Sequence, residues 1–217
     1  MLTNELSTFQ IIAVAILPVL LAVIVHEVAH GWIAFRLGDD TAYMMGRLTL
    51  NPLKHIDPVG TILVPLVLIL VAGVAFGWAK PVPINFRKLH KPRRDTALVA
   101  VAGPAANLLM AVMWLLLAKL ATVLPAGISS LAVPLTYMST FGVLINSILM
   151  VFNLIPIPPT DGGRIMTSLL PARFAYPLSK VEPYGLIIIL LLLLTGIIWQ
   201  LLDVVIHFVM YILSVVL

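Results

Sequence analysis

An all-α polytopic membrane protein is the fold class this sequence predicts: a helical bundle with a small re-entrant β-element and space for one re-entrant helix. Three observations carry that reading. The composition is 61% hydrophobic and only 10% charged, too apolar for a soluble domain. Uncharged runs recur at the roughly 20-residue length that a bilayer-spanning helix requires. Lysines and arginines sit in short connections between those runs, where they set topology, so the net charge of +4 gives no indication of nucleic-acid binding. The 217 residues read as a single membrane-embedded domain over 1–217, with a core from about residue 9 to 172 and C-terminal membrane helices over 184–217. The chain contains no Cys, which excludes a disulfide framework and a thiolate metal site.

Phe9 to Val25 is the first spanning segment, and its helix continues through His26 and His30 to about Leu37, ahead of Gly38-Asp39-Asp40. It is too long for a cleavable signal peptide and lacks a basic n-region. At 1.5 Å per residue, His26 lies about 15 Å along the helix from Arg36, inside the membrane and not at its surface. Thr41 to Pro58 reads as extended, because Gly46-Arg47-Leu48-Thr49-Leu50-Asn51-Pro52 alternates in part between Gly and Pro boundaries; a short strand or hairpin is expected there. Val59 to Gly77 is apolar and about long enough to span, yet Pro65, Gly73 and Gly77 interrupt it. Trp78 to Asp95 is a polar connection with six basic residues and an extended Lys80-Pro81-Val82-Pro83 centre.

Thr96 to Leu120 is a second clear span, opening near Gly103-Pro104-Ala105-Ala106-Asn107. Its Gly and Ala allow close helix approach, and Asn107 is a polar group that must find a partner at depth. Ala121 to Tyr137 is a nearly uncharged loop. Ser139 to Ile155 forms a third span, which Pro156, Pro158 and Pro159 interrupt because each lacks an N–H donor. Irregular backbone at such depth must be buried in protein or line a cavity. Asp161-Gly162-Gly163-Arg164 follows at once, then a short helix to Leu170. Tyr184 to Leu217 is a run of 34 residues. As one straight helix it would measure about 51 Å against a hydrocarbon core of roughly 30 Å, so a break is expected near Gly196 to Gln200. The piece beyond is a further span or an interfacial helix, on which Asp203 and His207 read as a paired polar patch.

Chemistry concentrates in His26-Glu27-Val28-Ala29-His30, at the end of a run from Leu6 to Val25 that carries no charge. Residues four apart share a helix face, so His26 and His30 can present imidazole nitrogens to one metal ion while Glu27 reaches its open position. That is the zincin arrangement, in which a carboxylate acts as general base beside a metal-activated water. An ionisable group at bilayer depth costs roughly 2.5–3.5 kcal/mol on insertion scales, which makes such groups functional by default. A catalytic zinc needs a third protein ligand, and the candidates are Asp161, His55, Asp57 and Asp203. Asp161 is preferred, since it follows a proline-broken helix and two glycines after it allow close backbone approach. It is also a candidate N-cap for the helix ending at Leu170. His55 is read as bonded within its loop.

With these residues identified, the chain resembles the site-2 proteases, a family of intramembrane zinc metalloproteases. His26-Glu27-Val28-Ala29-His30 looks like the family's metal-binding helix, Gly103-Pro104-Ala105-Ala106-Asn107 like its G-P-x-x-N helix, and Phe152-Asn153-Leu154-Ile155-Pro156 through Asp161-Gly162-Gly163 like its F-N-L-x-P…D-G motif. Together they cover the core from about residue 9 to 172. The resemblance implies one Zn²⁺ per chain held by His26, His30 and Asp161, Glu27 as base, and Asn153 beside the metal as a group that helps hold the substrate or oxyanion. It further implies an extended substrate docked against a re-entrant β-element, which Gly46 to Pro52 would supply. Asn51-Pro52-Leu53-Lys54-His55-Ile56-Asp57-Pro58 and Gly77-Trp78-Ala79-Lys80-Pro81-Val82-Pro83 are similar to segments of the compact bacterial subgroup without PDZ or CBS domains.

The expected activity is regulated intramembrane proteolysis: hydrolysis of a peptide bond within or near the transmembrane segment of a single-span protein or signal-peptide remnant, in the bacterial inner membrane. The bilayer is the expected surrounding, with no nucleic-acid partner. A membrane metal transporter is the first alternative, although polar residues lie mainly toward one side. A non-catalytic helix-binding scaffold is the second, although such a binder has no need of Glu27. Topology follows from charge. Of 13 Lys and Arg, three fall within Arg36 to Pro58, six within Trp78 to Asp95 and three within Asp161 to Pro183, with Lys119 apart. If Val59 to Gly77 crossed the membrane these would divide four against nine. If it dips in and returns, all but Lys119 share one side, as the positive-inside rule prefers. The expectation is therefore an outward N-terminus and an active site toward the cytoplasm.

Overall fold

Among the residues that the computed structural model describes, 7–73, 77–125 and 131–217, every regular element is a helix. Residues 74–76 of the Val59 to Gly77 run and 126–130 of the Ala121 to Tyr137 loop lie outside them. Ser7 opens α1 (Thr8–Arg36) with a capping box: its Oγ accepts from the Gln10 N–H while the Gln10 side chain takes the Ser7 N–H. The helix carries His26 and His30 and stops at Leu37, just before Gly38 turns to φ +107°. α4 (Pro92–Thr122) and α5 (Ala132–Asn153) pack along each other and against α1. α5 begins earlier than the expected Ser139.

These three helices, and α9 (Ile197–Val216) packed on α5, are each long and apolar enough to cross a membrane. Gly196, at φ +84°, separates α9 from α8 (Glu182–Leu194), which is the break that the 34-residue apolar run requires. α8 and the preceding α7 (Ala172–Ser179) are bent by 69° and together form a fifth, broken candidate. Large side chains along these helices remain exposed, as lipid contact allows, so close approach of small residues matters more than burial of apolar area. At Gly142 of α5 a Cβ would lie 2.3 Å from ring atoms of Trp114 on α4, inside the cluster of Met110, Trp114, Val143, Val209 and Leu213.

Between α1 and α4 the chain makes an excursion and comes back. It passes through α2 (Thr41–Met44) and a wide helical turn at Pro58–Leu63 into α3 (Val64–Ala72). From Pro58 to Ala72 the rise is about 21 Å, short of the roughly 30 Å hydrocarbon core. The Trp78 N–H then bonds to the Gly60 carbonyl at 3.0 Å, so the chain has returned to the base of α3. Farther on, the His90 N–H reaches the Leu37 carbonyl at 3.0 Å, the Asn85 N–H reaches Asp39 at 2.6 Å, and Lys88 Nζ meets Asp40 at 2.6 Å. In that exposed pair the Lys88 ammonium holds the Asp40 carboxyl below its usual range. The two ends of the excursion therefore lie side by side.

The β-element expected over Gly46 to Pro52 is absent: no strand occurs among the described residues. That stretch leads from α2 into a short turn at Pro52–Lys54, with Asn51 Oδ1 accepting from the Leu53 N–H. Its neighbour, Lys80 to Pro83, explains why. Pro81 and Pro83 have no N–H, the Lys80 and Pro81 carbonyls accept from the Arg47 guanidinium at 3.0 and 3.2 Å, and the Val82 N–H goes to Glu27. Such a segment cannot support a strand ladder.

Beyond α5 the prolines leave 154–160 irregular, and α6 (Asp161–Leu169) is laid directly on that backbone. A Cβ on Gly162 would sit 2.2 Å from the Leu154 carbonyl oxygen, and one on Gly163 would sit 2.2 Å from Pro158 N. At its far end Arg93 of α4 donates to the Ser168 carbonyl at 2.7 Å and to the Leu170 carbonyl, tying α6 to α4. Gly142→Ala is expected to cost about 1–3 kcal/mol through overpacking against Trp114, read as a lower midpoint of thermal unfolding in detergent. A variant as stable as wild type would contradict this account of the α4–α5 contact.

Candidate metal centre

One turn of α1 places His26 and His30 on the face that meets α4. Glycine at 103 is what lets α4 come so near, since a Cβ there would lie 2.4 Å from His30 Nε2 and 2.5 Å from His26 Cε1. The two imidazoles stand edge to face, with Nε2 atoms 3.0 Å apart. Asp161 Oδ2, from the start of α6, is 3.2 Å from each Nε2. All three residues are buried, and they form the group among the described residues suited to holding a metal ion. The N-cap of α6 is Thr160, whose Oγ1 accepts from the Gly163 N–H at 3.2 Å, so the Asp161 carboxylate is not committed to capping.

The fit of this group to a cation follows from its hydrogen bonds. His30 Nδ1 lies 2.6 Å from the Val99 carbonyl oxygen, which can only accept, so Nδ1 carries the proton. His26 Nδ1 lies 2.6 Å from Asn107 Oδ1. That amide is oriented by its own donors, because Nδ2 bonds to the Ala22 carbonyl at 3.1 Å and to Asn146 Oδ1 at 2.9 Å. In both neutral rings the lone pair therefore falls on Nε2. With both rings neutral, two lone pairs and a carboxylate oxygen converge at 3.0–3.2 Å, and Asp161 Oδ2, although near both rings, has no hydrogen-bond donor. A tetrahedral zinc with ligand bonds of about 2.0–2.1 Å has ligand–ligand edges of about 3.3 Å, close to the spacing observed. Two imidazoles and a carboxylate, with a fourth position open, are a catalytic zinc set.

Glu27 stands beside this group, and its Oε2 accepts the Val82 N–H at 2.8 Å. His26, Glu27 and Asn153 line one cavity of about 380 Å³, together with Trp78, Thr160 and Arg164. Asn153 is the last residue of α5, and its Nδ2 bonds to the Leu149 carbonyl at 2.9 Å. A primary amide has two N–H donors, and this bond uses one. The other carboxylates and His considered as third ligand lie elsewhere. His55 Nε2 bonds to the Thr49 carbonyl at 2.8 Å, Asp57 caps the turn at Pro58 through the Val59 and Gly60 N–H groups, and Asp203 pairs with His207 on the exposed face of α9. Sequence reasoning passed over Asn146, which is fully buried behind Asn107. An amide in an apolar span was the available signal.

Fold and site together define a membrane-embedded metallopeptidase. Peptidase family M50 matches residues 122–196 of the chain, the part that holds Asn153 and Asp161. Over 195 residues, 87% of this chain and 85% of the relative, the sequence is 40% identical to the "Putative zinc metalloprotease YwhC" of Bacillus subtilis. It is also 30% identical over 198 residues to the "Putative zinc metalloprotease Rip2" of Mycolicibacterium smegmatis, covering 88% of this chain and 71% of that one. No solved structure matches it. The chain belongs to the site-2 protease family, peptidase family M50, and is a zinc metallopeptidase. Purified protein is expected to contain about one zinc per chain, with occupancy falling sharply in His26→Ala and in His30→Ala. Undiminished zinc by elemental analysis in the double variant would sink the ligand assignment.

Proposed function

We propose that the protein hydrolyses peptide bonds within or near the transmembrane segment of membrane-anchored substrates, single-span proteins or signal-peptide remnants, with His26, His30 and Asp161 as the zinc ligands. The observation that carries this reading is the meeting of these three residues with Glu27 and Asn153 at one cavity inside an apolar bundle. Zinc bound there supplies Lewis-acid activation of a water and of the scissile carbonyl. Glu27 takes the proton from the attacking water and returns it to the leaving amine as the C–N bond breaks. The Val82 N–H, 2.8 Å from Oε2, fixes one oxygen of that carboxylate and leaves the other for the proton. Asn153 donates its second amide hydrogen to the oxyanion. A helical substrate hides its amides, so the segment to be cut unwinds into an extended form before it reaches these groups.

The site faces the cytoplasm in the bacterial inner membrane, with the N-terminus outside. Val59 to Gly77 enters the membrane and returns, a reading supported by the contacts of Asn85, Lys88 and His90 with residues 37–40 as well as by charge.

Two measurements test these statements. Glu27→Gln retains zinc and fold but loses cleavage of a single-span substrate by several orders of magnitude; wild-type turnover in that variant refutes the role of Glu27, and zinc flux into proteoliposomes without proteolysis would favour a transporter. In the native Cys-free background, Thr41→Cys and Lys88→Cys are both shielded from an impermeant thiol reagent outside intact cells. Reaction at residue 88 with residue 41 protected would show that the intervening segment crosses.

A further inference from the structure

The two imidazoles of the centre are held differently. His30 is fixed by the Val99 carbonyl, a backbone acceptor that cannot turn round. His26 faces a primary amide, whose oxygen and nitrogen ends can exchange by a flip. We propose that Asn146 is a positioning residue that fixes the His26 tautomer through Asn107; this rests on the assignment of His26 as a zinc ligand.

The direction of the relay is set at its far end. The Gly142 carbonyl can only accept, so the Asn146 Nδ2 found 2.8 Å from it is the donor, and Asn146 Oδ1 is turned toward Asn107. That oxygen accepts from Asn107 Nδ2 at 2.9 Å, and the same nitrogen gives its other hydrogen to the Ala22 carbonyl at 3.1 Å. Asn107 Oδ1 is left facing His26 Nδ1 at 2.6 Å, which keeps the proton on Nδ1 and the lone pair on Nε2. Flipping Asn107 would set its oxygen against two acceptors, Asn146 Oδ1 and the Ala22 carbonyl. It would also place N–H groups against His26 Nδ1, moving the ring proton to Nε2, where it would point at His30 and Asp161. Both asparagines are fully buried, so no solvent relieves the mismatch. α5 thus acts on the metal ligand of α1 across the width of α4.

The readout that a merely structural role would not move is the tautomer itself. In ¹⁵N-histidine NMR of the zinc-free full-length protein, wild-type His26 shows the Nδ1–H form, whereas Asn146→Leu shows a mixture with Nε2–H. Zinc affinity, measured by competition with a chelator, falls about 10–100-fold in Asn107→Leu and by a smaller factor, about 3–10-fold, in Asn146→Leu. Asn146→Leu adds nothing in the Asn107→Leu background, because the relay is already cut. Asn146→Asp, as the neutral acid, keeps the acceptor and an O–H donor for the Gly142 carbonyl, and holds zinc within about threefold of wild type. An Nε2–H tautomer in the wild type overturns the proposal without any variant. Additive losses in the double variant, or unchanged affinity in a folded Asn146→Leu, overturn it as well. Should His26→Ala bind zinc like wild type, the ligand assignment itself fails; a weakened His26→Ala beside an unaffected Asn146→Leu rejects the relay alone.

Discussion

Two imidazole Nε2 atoms and a carboxylate oxygen at 3.0–3.2 Å, buried in an apolar bundle, repel one another unless a cation or a proton lies among them. Much of the remaining architecture serves to hold that arrangement. Gly103 removes the one Cβ that would occupy the space of both rings, and Asn107 and the Val99 carbonyl on the same helix take the Nδ1 protons. Gly162 and Gly163 let α6 lie on the irregular backbone of 154–158, bringing Asp161 to the rings. Arg93 then fixes the opposite end of α6 to α4. The helix that approaches the histidines and the helix that anchors the carboxylate support are the same α4, so distances among His26, His30 and Asp161 depend on one rigid element.

The same dependence explains how irregular backbone survives in an apolar protein. A carbonyl or N–H that meets neither helix nor strand must find another partner when water is excluded. Along 78–85 those partners are supplied by side chains and turns: Arg47 for the Lys80 and Pro81 carbonyls, Thr61 for the Trp78 carbonyl, Glu27 for the Val82 N–H and Asp39 for the Asn85 N–H. Proline at 81 and 83 removes two donors that would otherwise need satisfying. The segment lines the cavity without forming a strand, and its bond to Glu27 links the excursion between α1 and α4 to the face of α1 that borders the cavity.

Which parts were legible in the sequence follows from how local their signals are. The His26-Glu27-Val28-Ala29-His30 spacing fixes a shared helix face by itself, and an overlong apolar run containing Gly196 has to break. Asp161 was legible because prolines and glycines around it leave few backbone paths. The β-element was misjudged because alternation in Gly46 to Pro52 speaks to the segment alone, whereas a strand needs a partner edge, and the donor-poor Lys80 to Pro83 does not offer one. Thr160 in place of Asp161 as the cap of α6 is a one-residue difference in where a helix starts, below what pattern reading resolves. Asn146 was passed over for the opposite reason: its partner lies on another helix, and nothing adjacent in sequence marks it.

Charge balance favours a candidate metal group that mixes two imidazoles with one carboxylate. An isolated ion taken from water into an apolar interior carries a Born penalty on the order of 20 kcal/mol before relaxation, so a cluster at this depth is favoured when its formal charges cancel. The hydrogen bonds to Asn107 and Val99 hold the Nδ1 protons, so that in the neutral rings the lone pairs fall on Nε2. Asp161 and Glu27 contribute two negative charges, and a divalent zinc offsets them. A third histidine in place of Asp161 would leave the zinc-loaded cluster at +1, and a second ligating carboxylate in place of a histidine would leave it at −1. Two neutral rings, the Asp161 carboxylate and the Glu27 carboxylate beside them would, with a divalent zinc, form a set whose formal charges cancel.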